Sequence, residues 1–377
     1  MHDVLIAGGG PVGAALALCL RDSGLDVTLI DAPERRDEDL RPIALSHASR
    51  LIIDRLIPQY VADAATQIRS VHVSQQHGFG RTLIREADLE VAALGYVFDL
   101  GELSRKLRAE VSSPQMRGRV VRWEGDEDKA QAHILGDRET TTAEARLLVI
   151  ADGGQWAGDD LALRDYGQSA IVALVCSEEP PEGGAWERFC STGPLALLPL
   201  RDRYALVWTT TTAHARQLGA LNDAHFLEAL QDAFGQRLGR FTQSGPRSAF
   251  PLQLRFRASP IAGQRCLNIG NAAQTLHPVA GQGLNLGLRD AFELAQLLKA
   301  TAKAKIGDGN FLQIYAAARD SDRKASIVGT DSLVRLFSNN MPALRPMRGV
   351  ALAALDLIPP LRRVFARRMV YGLRNLP

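Results

Sequence analysis

The chain has 377 residues, of which 46% are hydrophobic and 23% charged, a composition typical of globular proteins and a length that favours two domains over one. Lys and Arg together number 44, and Asp and Glu number 42. The resulting net charge of +2 excludes a strong overall preference for nucleic acid.

The four cysteines, at positions 19, 176, 190 and 266, form no C-x-x-C pair, so the sequence indicates neither a metal site nor a disulfide framework. No apolar run reaches about 18 residues, the length that spans a bilayer. The N-terminus has no basic segment and no cleavage site, so it predicts no export signal. We therefore expect a cytoplasmic protein with reduced thiols.

A complete βαβ unit is predicted at the N-terminus. Asp3–Ala7 has the pattern of a buried parallel strand, and Ala14–Ser23 has that of a helix. Val27–Ile30 predicts a second strand, which ends at Asp31. The turn after the first strand carries the G-x-G-x-x-G spacing of dinucleotide-binding proteins.

The glycines of this turn indicate a bound dinucleotide. Gly8 allows the tight turn, Gly10 lets the backbone approach a pyrophosphate, and Gly13 lets the helix pack on the strand. The Asp31 carboxylate would accept hydrogen bonds from a ribose. The alternative is a glycine-rich turn in an ordinary α/β fold. It is less favoured because strand, helix, second strand and acid are all in place.

Helical and extended segments alternate after this unit. We predict a helix at Ile43–Leu56, strands and hairpins at Val71–Val97, a helix at Leu100–Val111, a small antiparallel element at Val120–Ala145, and a buried strand at Leu147–Ile150 before Asp152 and Gly153. Residues 165–250 are rich in extended runs, with one helix at Asp223–Leu238, and this favours a second domain built on a broad sheet. Its aromatic residues either line a substrate cavity or belong to the core; they are Trp186, Phe189, Tyr204 and Trp208.

A second strand–loop–helix pattern lies near the end of the predicted core. An apolar run ends at Gly270, a turn contains Pro278 and Gly283, and a helical pattern begins at Leu284. Helix N-termini attract anionic groups, so the two loops favour one large anionic ligand between them. The second N-terminus would stabilise negative charge on a reduced isoalloxazine, which favours FAD over NAD.

Three strings, GGGPVG, ADGG and IGNAAQTLHPVAGQGLNLGLRD, resemble in order and spacing the flavoprotein aromatic hydroxylases of the p-hydroxybenzoate hydroxylase fold. The last string is similar to the ubiquinone-biosynthesis branch of FAD-dependent hydroxylases, and in particular to the 2-polyprenyl-6-methoxyphenol hydroxylases. Arg41 in RPIALSHAS, LLPL followed by VWTTT, and FPL at Phe250–Leu252 extend the resemblance over essentially the whole chain.

The elements and the resemblance together predict an α/β fold, α+β overall. A Rossmann-like FAD-binding domain would comprise residues 1–70, 99–164 and 251–330, with an interleaved β-rich substrate domain at 71–98 and 165–250 and a helical C-terminal region at 331–377. The resemblance implies a set of cofactor-binding residues, namely Gly8, Gly10, Pro11, Gly13, Asp31, Arg41, Arg105, Asp152, Gly153, Gly270, Asn271, Pro278, Gly281, Gln282, Gly283, Leu284 and Asn285. The flavin would carry the chemistry, so no acid–base residue is assigned. His277 and Pro278 either lie near the flavin ring, or His277 fixes the turn at Pro278.

Several positions depart from the family pattern. Asn271 stands where many relatives have Asp, and Gln155 and Trp156 follow Gly153 where a Ser and then an Arg are usual. The contacts with the reductant are therefore left open. Arg105 stands where relatives often carry a Gln that faces FAD, so it is either a pyrophosphate contact or a solvated helix residue.

The resemblance implies an FAD-dependent monooxygenase that hydroxylates a polyprenylated phenol in ubiquinone biosynthesis. It would use O₂ and transiently bound NADPH or NADH, through a flavin C4a-hydroperoxide. Three alternatives stay open: a hydroxylase of a small soluble phenol, a flavin reductase of the same fold, and a non-catalytic scaffold of a biosynthetic complex. Other ubiquinone-biosynthesis proteins are expected partners, and nucleic acid is not.

The C-terminal tail is basic and amphipathic. An apolar stripe at helical spacing runs from Leu361 to Met369, opposite Arg363, Arg367 and Arg374. Such a helix either rests on an anionic membrane surface or packs on its own domain with a solvated basic face. Because a polyprenyl substrate resides in lipid, we favour peripheral contact with the inner face of the cell membrane.

Overall fold

The computed structural model describes residues 1–32, 41–155, 161–277, 281–337 and 344–371. The strands are β1 (His2–Ala7), β2 (Val27–Asp31), β3 (Pro42–Ser46), β4 (Thr66–Ile68), β5 (Ser70–Gln75), β6 (Arg81–Arg85), β7 (Gly95–Asp99), β8 (Gln115–Arg117), β9 (Arg119–Gly125), β10 (Ala130–Leu135), β11 (Thr140–Ile150), β12 (Leu161–Ser177), β13 (Gly184–Cys190), β14 (Gly193–Leu200), β15 (Arg203–Thr211), β16 (Phe241–Ser244), β17 (Ser248–Arg257), β18 (Cys266–Asn268) and β19 (Gln274–Thr275). The helices are α1 (Pro11–Leu20), α2 (His47–Leu56), α3 (Tyr60–Ala64), α4 (Leu100–Ala109), α5 (Thr212–Ala220), α6 (Asp223–Phe234), α7 (Gln282–Ala300), α8 (Gly309–Phe337), α9 (Leu344–Leu357) and α10 (Pro359–Tyr371). The α/β fold class predicted from the sequence is confirmed.

The first sheet has the strand order β8-β2-β1-β11-β10-β9, with β18 also paired to β11. Strands β8, β2, β1, β11 and β18 are parallel, whereas β10 and β9 continue the sheet in the antiparallel sense. Val4 and Ile6 of β1 pack with α1 and α7, and Leu5 and Ala7 pack with β10. Both faces of β1 are therefore buried, which explains its unbroken apolar sequence.

The second sheet has the order β19-β17-β12-β15-β14-β13-β5-β6, with β16 paired to β12. One of its faces packs against α5 and α6 around Trp208, Phe226 and Leu230. The predicted domain boundaries at residues 164/165 and 250/251 fall inside β12 and β17, which belong to this sheet over their whole lengths. In the structure the sheet is therefore formed by the strands between residues 161 and 257 together with β5, β6 and β19.

A three-stranded sheet, β3-β7-β4, corrects one prediction from the sequence. The predicted helix at Ile43–Leu56 is wrong in its first turn, because β3 pairs there with β7 and α2 begins only at His47. The Ser46 side chain accepts a hydrogen bond from the Ser49 N–H and so caps the helix. The pairing partner β7 is distant in sequence, so a helical pattern judged within one window does not reveal the strand.

Two helices interrupt the strands of the second sheet, where the sequence predicted only Asp223–Leu238. Thr211 and Asn222 cap α5 and α6, since each side chain accepts a backbone N–H of the following helix. Helix α6 ends at Phe234, before Gly235 at φ 92°, a conformation that favours glycine.

The C-terminal helices pack on the second sheet and on the three-stranded sheet. The Thr82 hydroxyl of β6 donates a hydrogen bond to Leu352 O of α9 at 2.6 Å. Ala366 and Val370 of α10 are buried in a cluster with residues of β6, β7 and β13. Helices α9 and α10 are thus part of the packed molecule. Within the described ranges, no helix combines the length and apolar character needed to cross a membrane.

Candidate active site

A cavity of about 910 Å³ lies between the first sheet, the second sheet and the C-terminal helices. The β1–α1 turn and the start of α7 line one side of it, and strands β5, β13 and β14 with α9 and α10 line the other. Most of the predicted cofactor residues line this cavity: Gly8, Gly10, Pro11, Asp31, Arg41, Asp152, Gly153, Asn271, Gly281, Gln282, Gly283, Leu284 and Asn285. The structure thus brings both glycine-rich loops to one space.

Two helices begin at this cavity without a side-chain cap from the described residues. Gly10 is the N-cap of α1, and Gly281, at φ 60°, is the N-cap of α7. Both glycines line the cavity. The unpaired N–H groups in the first turn of each helix are therefore available to a ligand, although Pro11 at the start of α1 supplies none. The aligned peptide dipoles favour negative charge at both points.

The turn between β1 and α1 leaves no room for side chains. At Gly8, φ is 114° and a Cβ would lie 2.5 Å from the backbone oxygen that follows β11. At Gly13, a Cβ would lie 1.9 Å from Gly8 O. The Asp31 carboxylate accepts a hydrogen bond from the Gly9 N–H at 3.2 Å and lies 4.0 Å from Arg108 Nη1. A bare backbone and one carboxylate therefore border this side of the cavity.

The buried amide of Asn285 fixes the turn before α7. Its Oδ1 accepts a hydrogen bond from the Ser46 N–H at 2.8 Å. Its Nδ2 donates to Ala44 O at 2.9 Å and to Gly281 O at 2.7 Å. One side chain thus joins β3, α7 and the turn, and holds the α7 N-terminus at the cavity.

Comparison with known proteins decides the family. A sequence profile described as FAD binding domain matches residues 1–326. The chain belongs to this family. It is 33% identical to the ubiquinone hydroxylase UbiL of Rhodospirillum rubrum over 100% of this chain and 91% of that protein, and 32% identical to the 3-demethoxyubiquinol 3-hydroxylase of Escherichia coli over 96% of each.

Its fold is similar to that of the p-nitrophenol 4-monooxygenase PnpA of Pseudomonas putida, with a TM-score of 0.80, 16% identity and 99% of both chains covered. The predicted membership of the ubiquinone-biosynthesis FAD-dependent hydroxylases is confirmed, and the chain is an FAD-dependent monooxygenase.

The residues of the cavity fit FAD. The side-chain-free turn at Gly8 and the uncapped start of α1 would hold the pyrophosphate, and Asp31 would accept hydrogen bonds from the ribose. The uncapped start of α7 would lie at the flavin. Arg41 also lines the cavity, and its guanidinium carbon lies 5.2 Å from the Phe250 ring centroid.

Three of the predicted residues that the structure describes do not line the cavity: Gly13, Gly270 and Arg105. Gly13 and Gly270 act through packing and backbone geometry, since Gly270 has φ 58° and a Cβ there would lie 3.2 Å from a neighbouring valine. Arg105 is exposed on α4, whereas Arg108, one helical turn later, lines the cavity. The sequence reasoning missed Arg108, although the helical spacing of α4 was a signal that could have shown it. Pro278 lies outside the described residues.

A buried ion-pair network supports the segment before α7. Asp290 Oδ2 accepts a hydrogen bond from the Gly270 N–H at 3.1 Å, and Oδ1 accepts from Arg319 Nε at 2.8 Å. Arg319 Nη2 also donates to Asp322 at 2.7 Å. Burial raises the pKa of Asp322, but the charges of two neighbouring arginines outweigh burial and hold it below its ordinary value. Helix α8 thus fixes the backbone beside the FAD cavity.

His277 is fully buried and does not line the cavity. Its ring meets that of Tyr166 edge-on, with centroids 5.4 Å apart. Burial lowers the pKa of His277 to about 4, so its imidazole is neutral near pH 7. This environment favours the structural alternative, in which His277 supports the turn, over polar contact with the flavin.

The segment after β11 lies against the same cavity. Asp152 Oδ1 accepts a hydrogen bond from the Gly154 N–H at 2.9 Å, and Gly153 and Gly154 have φ values of 81° and 83°. Asp152, Gly153 and Gln155 line the cavity. Trp156 lies outside the described residues. The unusual sequence after Gly153 therefore begins at the cavity wall.

The second sheet supplies two of the four predicted aromatic residues to the cavity. Trp186 and Phe189 line it, whereas Tyr204 and Trp208 belong to the core between the sheet and α5 and α6. The sequence reasoning missed further lining residues, namely Glu187 of β13, Leu352 and Leu355 of α9, and Phe365 and Met369 of α10. The apolar stripe of the tail was a signal for the residues of α10, whereas no local pattern shows which face of β13 meets the cavity.

Proposed function

We propose that this monooxygenase hydroxylates the ring of a polyprenylated phenol in ubiquinone biosynthesis, with O₂ as the oxygen source and NADPH or NADH as the reductant. The observation that carries the proposal is that the cavity joins the FAD side to a largely apolar wall formed by the second sheet and the C-terminal helices. The relatives named as ubiquinone hydroxylases support the choice of pathway.

The protein binds and orients, and FAD supplies the transfer of one oxygen atom to the ring. The uncapped starts of α1 and α7 would hold the cofactor's anionic groups. Asn285 keeps the α7 start in place through its three hydrogen bonds. The apolar face of the second sheet holds the phenol ring and excludes water.

The apolar wall suits an isoprenoid chain. Aliphatic side chains from strands of the second sheet and from α9 and α10 line it; they include Val73, Val172, Leu198, Leu352 and Met369. Each CH₂ group that moves from water into such surroundings contributes about 0.8 kcal/mol. A single isoprene unit would therefore make the binding free energy of a prenylated phenol much more favourable than that of the same phenol without it.

We place the contact with the membrane on the outer side of α9 and α10. Large apolar side chains are exposed along both helices: Met347, Val350, Leu357, Ile358, Leu361 and Val364. Three arginines of α10 are exposed beside them, Arg363, Arg367 and Arg368, which suits an anionic lipid surface. Arg374 lies outside the described residues. Because the inner side of α10 lines the cavity, a substrate in lipid would lie one helix away from the site.

Steady-state kinetics of the FAD-loaded protein test the function. NADPH oxidation, O₂ uptake and product mass are compared for a phenol carrying one or two isoprene units and for the same phenol without them. We expect kcat/KM to be at least about 10²-fold higher for the prenylated phenol, with one oxygen atom added.

Three results would point to the alternatives. Equal rates with both phenols would favour a hydroxylase of small soluble phenols. Flavin reduction and substrate reduction without O₂ uptake would favour a reductase. Bound FAD that neither NADPH nor NADH reduces would favour a scaffold.

A further inference from the structure

Glu187 occupies a distinct position in the cavity wall. It lies near the middle of β13 and lines the cavity together with Ala185 and Phe189 of the same strand. The other ionisable side chains of the described lining come from the FAD side of the cavity; they are Asp31, Arg41, Arg108, Arg119 and Asp152. On the wall formed by the second sheet, Glu187 is the one ionisable group among the described lining residues.

The surroundings of the Glu187 carboxyl are apolar. Its register partners are Ala196 on β14 and Val73 on β5, and both also line the cavity. Within the described part of the chain, the Glu187 side chain makes no hydrogen bond or ion pair. Burial raises its pKa to about 7. A carboxyl that lacks a hydrogen-bond partner in apolar surroundings lowers the stability of the folded protein. Such groups cluster at functional sites.

The charged groups on neighbouring elements are engaged elsewhere. Arg188 of the same strand donates to Ala233 O on the opposite side of the sheet. On β5, the His72 ring packs against the Trp186 ring at a tilt of 36°, and burial and nearby arginines lower the pKa of His72 to about 4. No described cation therefore neutralises Glu187.

The charged groups of the C-terminal helices are also engaged with partners other than Glu187. Asp356 of α9 accepts a hydrogen bond from the Leu83 N–H, and Arg362 of α10 pairs with Asp88 at 3.0 Å. The carboxyl of Glu187 is thus left to interact with whatever fills the apolar part of the cavity.

We propose that Glu187 binds the phenolic hydroxyl of the substrate and accepts its proton during hydroxylation. This inference rests on the proposed function, because it requires a phenol in the cavity. A ring that is attacked by electrophilic oxygen develops positive charge, which makes its hydroxyl strongly acidic. A carboxylate at the hydroxyl is then a suitable general base.

The ring provides the electron pair of the new C–O bond, the phenolic O–H bond breaks, and its proton moves to a Glu187 carboxylate oxygen. The resulting dienone becomes aromatic again when the carbon that received oxygen loses its proton and Glu187 returns its own proton to the carbonyl oxygen. The oxygen donor is reduced by two electrons and takes up the proton from carbon.

The test compares wild type with Glu187→Gln, which keeps the shape of the side chain and cannot take a proton. We expect kcat/KM of wild type, which reports the free enzyme, to rise with pH through an apparent pKa near 7. In Glu187→Gln, kcat should fall by about 10²-fold and kcat/KM should lose this pH dependence, while KM changes by less than about threefold because the amide still binds the hydroxyl. FAD content and melting temperature, measured alongside, establish that the variant is folded and loaded.

Two further comparisons separate a base from a structural residue. Fluorinated phenols ionise at lower pH, so the loss in Glu187→Gln should shrink to within about threefold when the substrate is already a phenolate. Glu187→Asp keeps a carboxylate and should retain the pH dependence of kcat/KM. Equilibrium binding of the phenol to the oxidised enzyme, followed by flavin absorbance, should be little changed in Glu187→Gln.

An unchanged kcat and pH profile in Glu187→Gln would overturn the proposal, and so would an equal loss with fluorinated and unsubstituted phenols. If Glu187→Gln does not hold FAD, the profile of Glu187→Asp decides instead, and a profile without the transition near pH 7 would refute the proposal. A wild-type enzyme that prefers unprenylated phenols would contradict the proposed substrate alone, because the same comparison can be made on the phenol that it accepts.

Discussion

Arg319 of α8 donates its Nε–H to Asp290 Oδ1 of α7 at 2.8 Å, and only 1% and 2% of the two side chains are exposed. The second oxygen of Asp290 accepts the Gly270 N–H, so the pair extends from α8 to the backbone beside the FAD cavity. A substitution of Arg319 or Asp290 can therefore affect the binding of FAD even though neither side chain needs to contact the cofactor.

The variant Arg319→Met should destabilise the protein by about 3–5 kcal/mol, because it leaves the carboxylates of Asp290 and Asp322 buried without this partner. Urea unfolding of the apoprotein measures the loss. The matched control is Lys324→Met on the same helix, which removes an exposed pair with Asp320 and should cost less than about 1 kcal/mol. Equal effects of the two variants would contradict the role assigned to Arg319.

The variant Gly283→Val tests the placement of the second loop. Among the described residues, no atom beyond the neighbouring residues and the backbone of α7 lies within 4 Å of a Cβ built at Gly283. Gly283 also lines the cavity, so a valine would occupy space that the cofactor needs. We expect FAD to be lost while circular dichroism stays unchanged. Gly329→Val is the control, since that glycine lies within α8 and also has open space around it. Retention of FAD by Gly283→Val would show that the loop lies elsewhere relative to the flavin.

Charge reversal of Arg363, Arg367 and Arg368 should abolish binding to vesicles that contain anionic lipid, because each basic residue near such a surface contributes about 1 kcal/mol. Flotation with vesicles measures the bound fraction. The control reverses three exposed basic residues elsewhere and changes the net charge equally; they are Arg138, Arg216 and Lys299.

Apolar substitutions complete the membrane test. Replacing Leu357 and Val364 by serine should weaken vesicle binding without changing the elution volume in size exclusion. A shift from dimer to monomer in that variant would instead identify a second copy of the chain as the occupant. Charge argues against that outcome, because a symmetric contact would bring the same arginines together.

Glu187→Gln should stabilise the folded protein at high pH. The folded state raises the pKa of Glu187 to about 7, so it holds this proton more tightly than the unfolded chain does. The stability that protonated Glu187 contributes is fully present below the pKa of a glutamate in the unfolded chain, about 4.3. It is lost as pH rises through the pKa of Glu187 in the folded protein. The variant should therefore exceed wild type by about 1–3 kcal/mol near pH 8 and match it near pH 4 in urea unfolding. A difference that does not vary with pH would show that the Glu187 carboxyl is not in an apolar site.

The N-terminal βαβ unit could be predicted because its signals are local. β1, α1 and β2 fall within a few residues of the predicted Asp3–Ala7, Ala14–Ser23 and Val27–Ile30, since apolar runs, glycine spacing and a terminal acid all lie within one window. The start of α7 at Gln282, close to the predicted Leu284, follows from the same kind of signal.

The elements that sequence reasoning missed depend on distant partners. β3 is a strand only because β7 pairs with it, and Arg319 is buried only because α7 supplies Asp290. Glu187 is identifiable as a lining residue once β13 is known to have one face on the cavity, and no local pattern gives that face. For this reason, the part of the cavity formed by the second sheet and the C-terminal helices is less evident in the sequence than the FAD side.

The cavity has a consequence for the order in which the protein is synthesised. Its first lining residues belong to β1, and its last belong to α10, so nearly the whole sequence must leave the ribosome before the wall is complete. The FAD loops of residues 8–13 and 281–285 are translated earlier than α10. A nascent or prematurely terminated chain that lacks α10 would therefore bind FAD in a cleft that is open to solvent. Water would reach the reaction centre until α10 has folded onto the sheet.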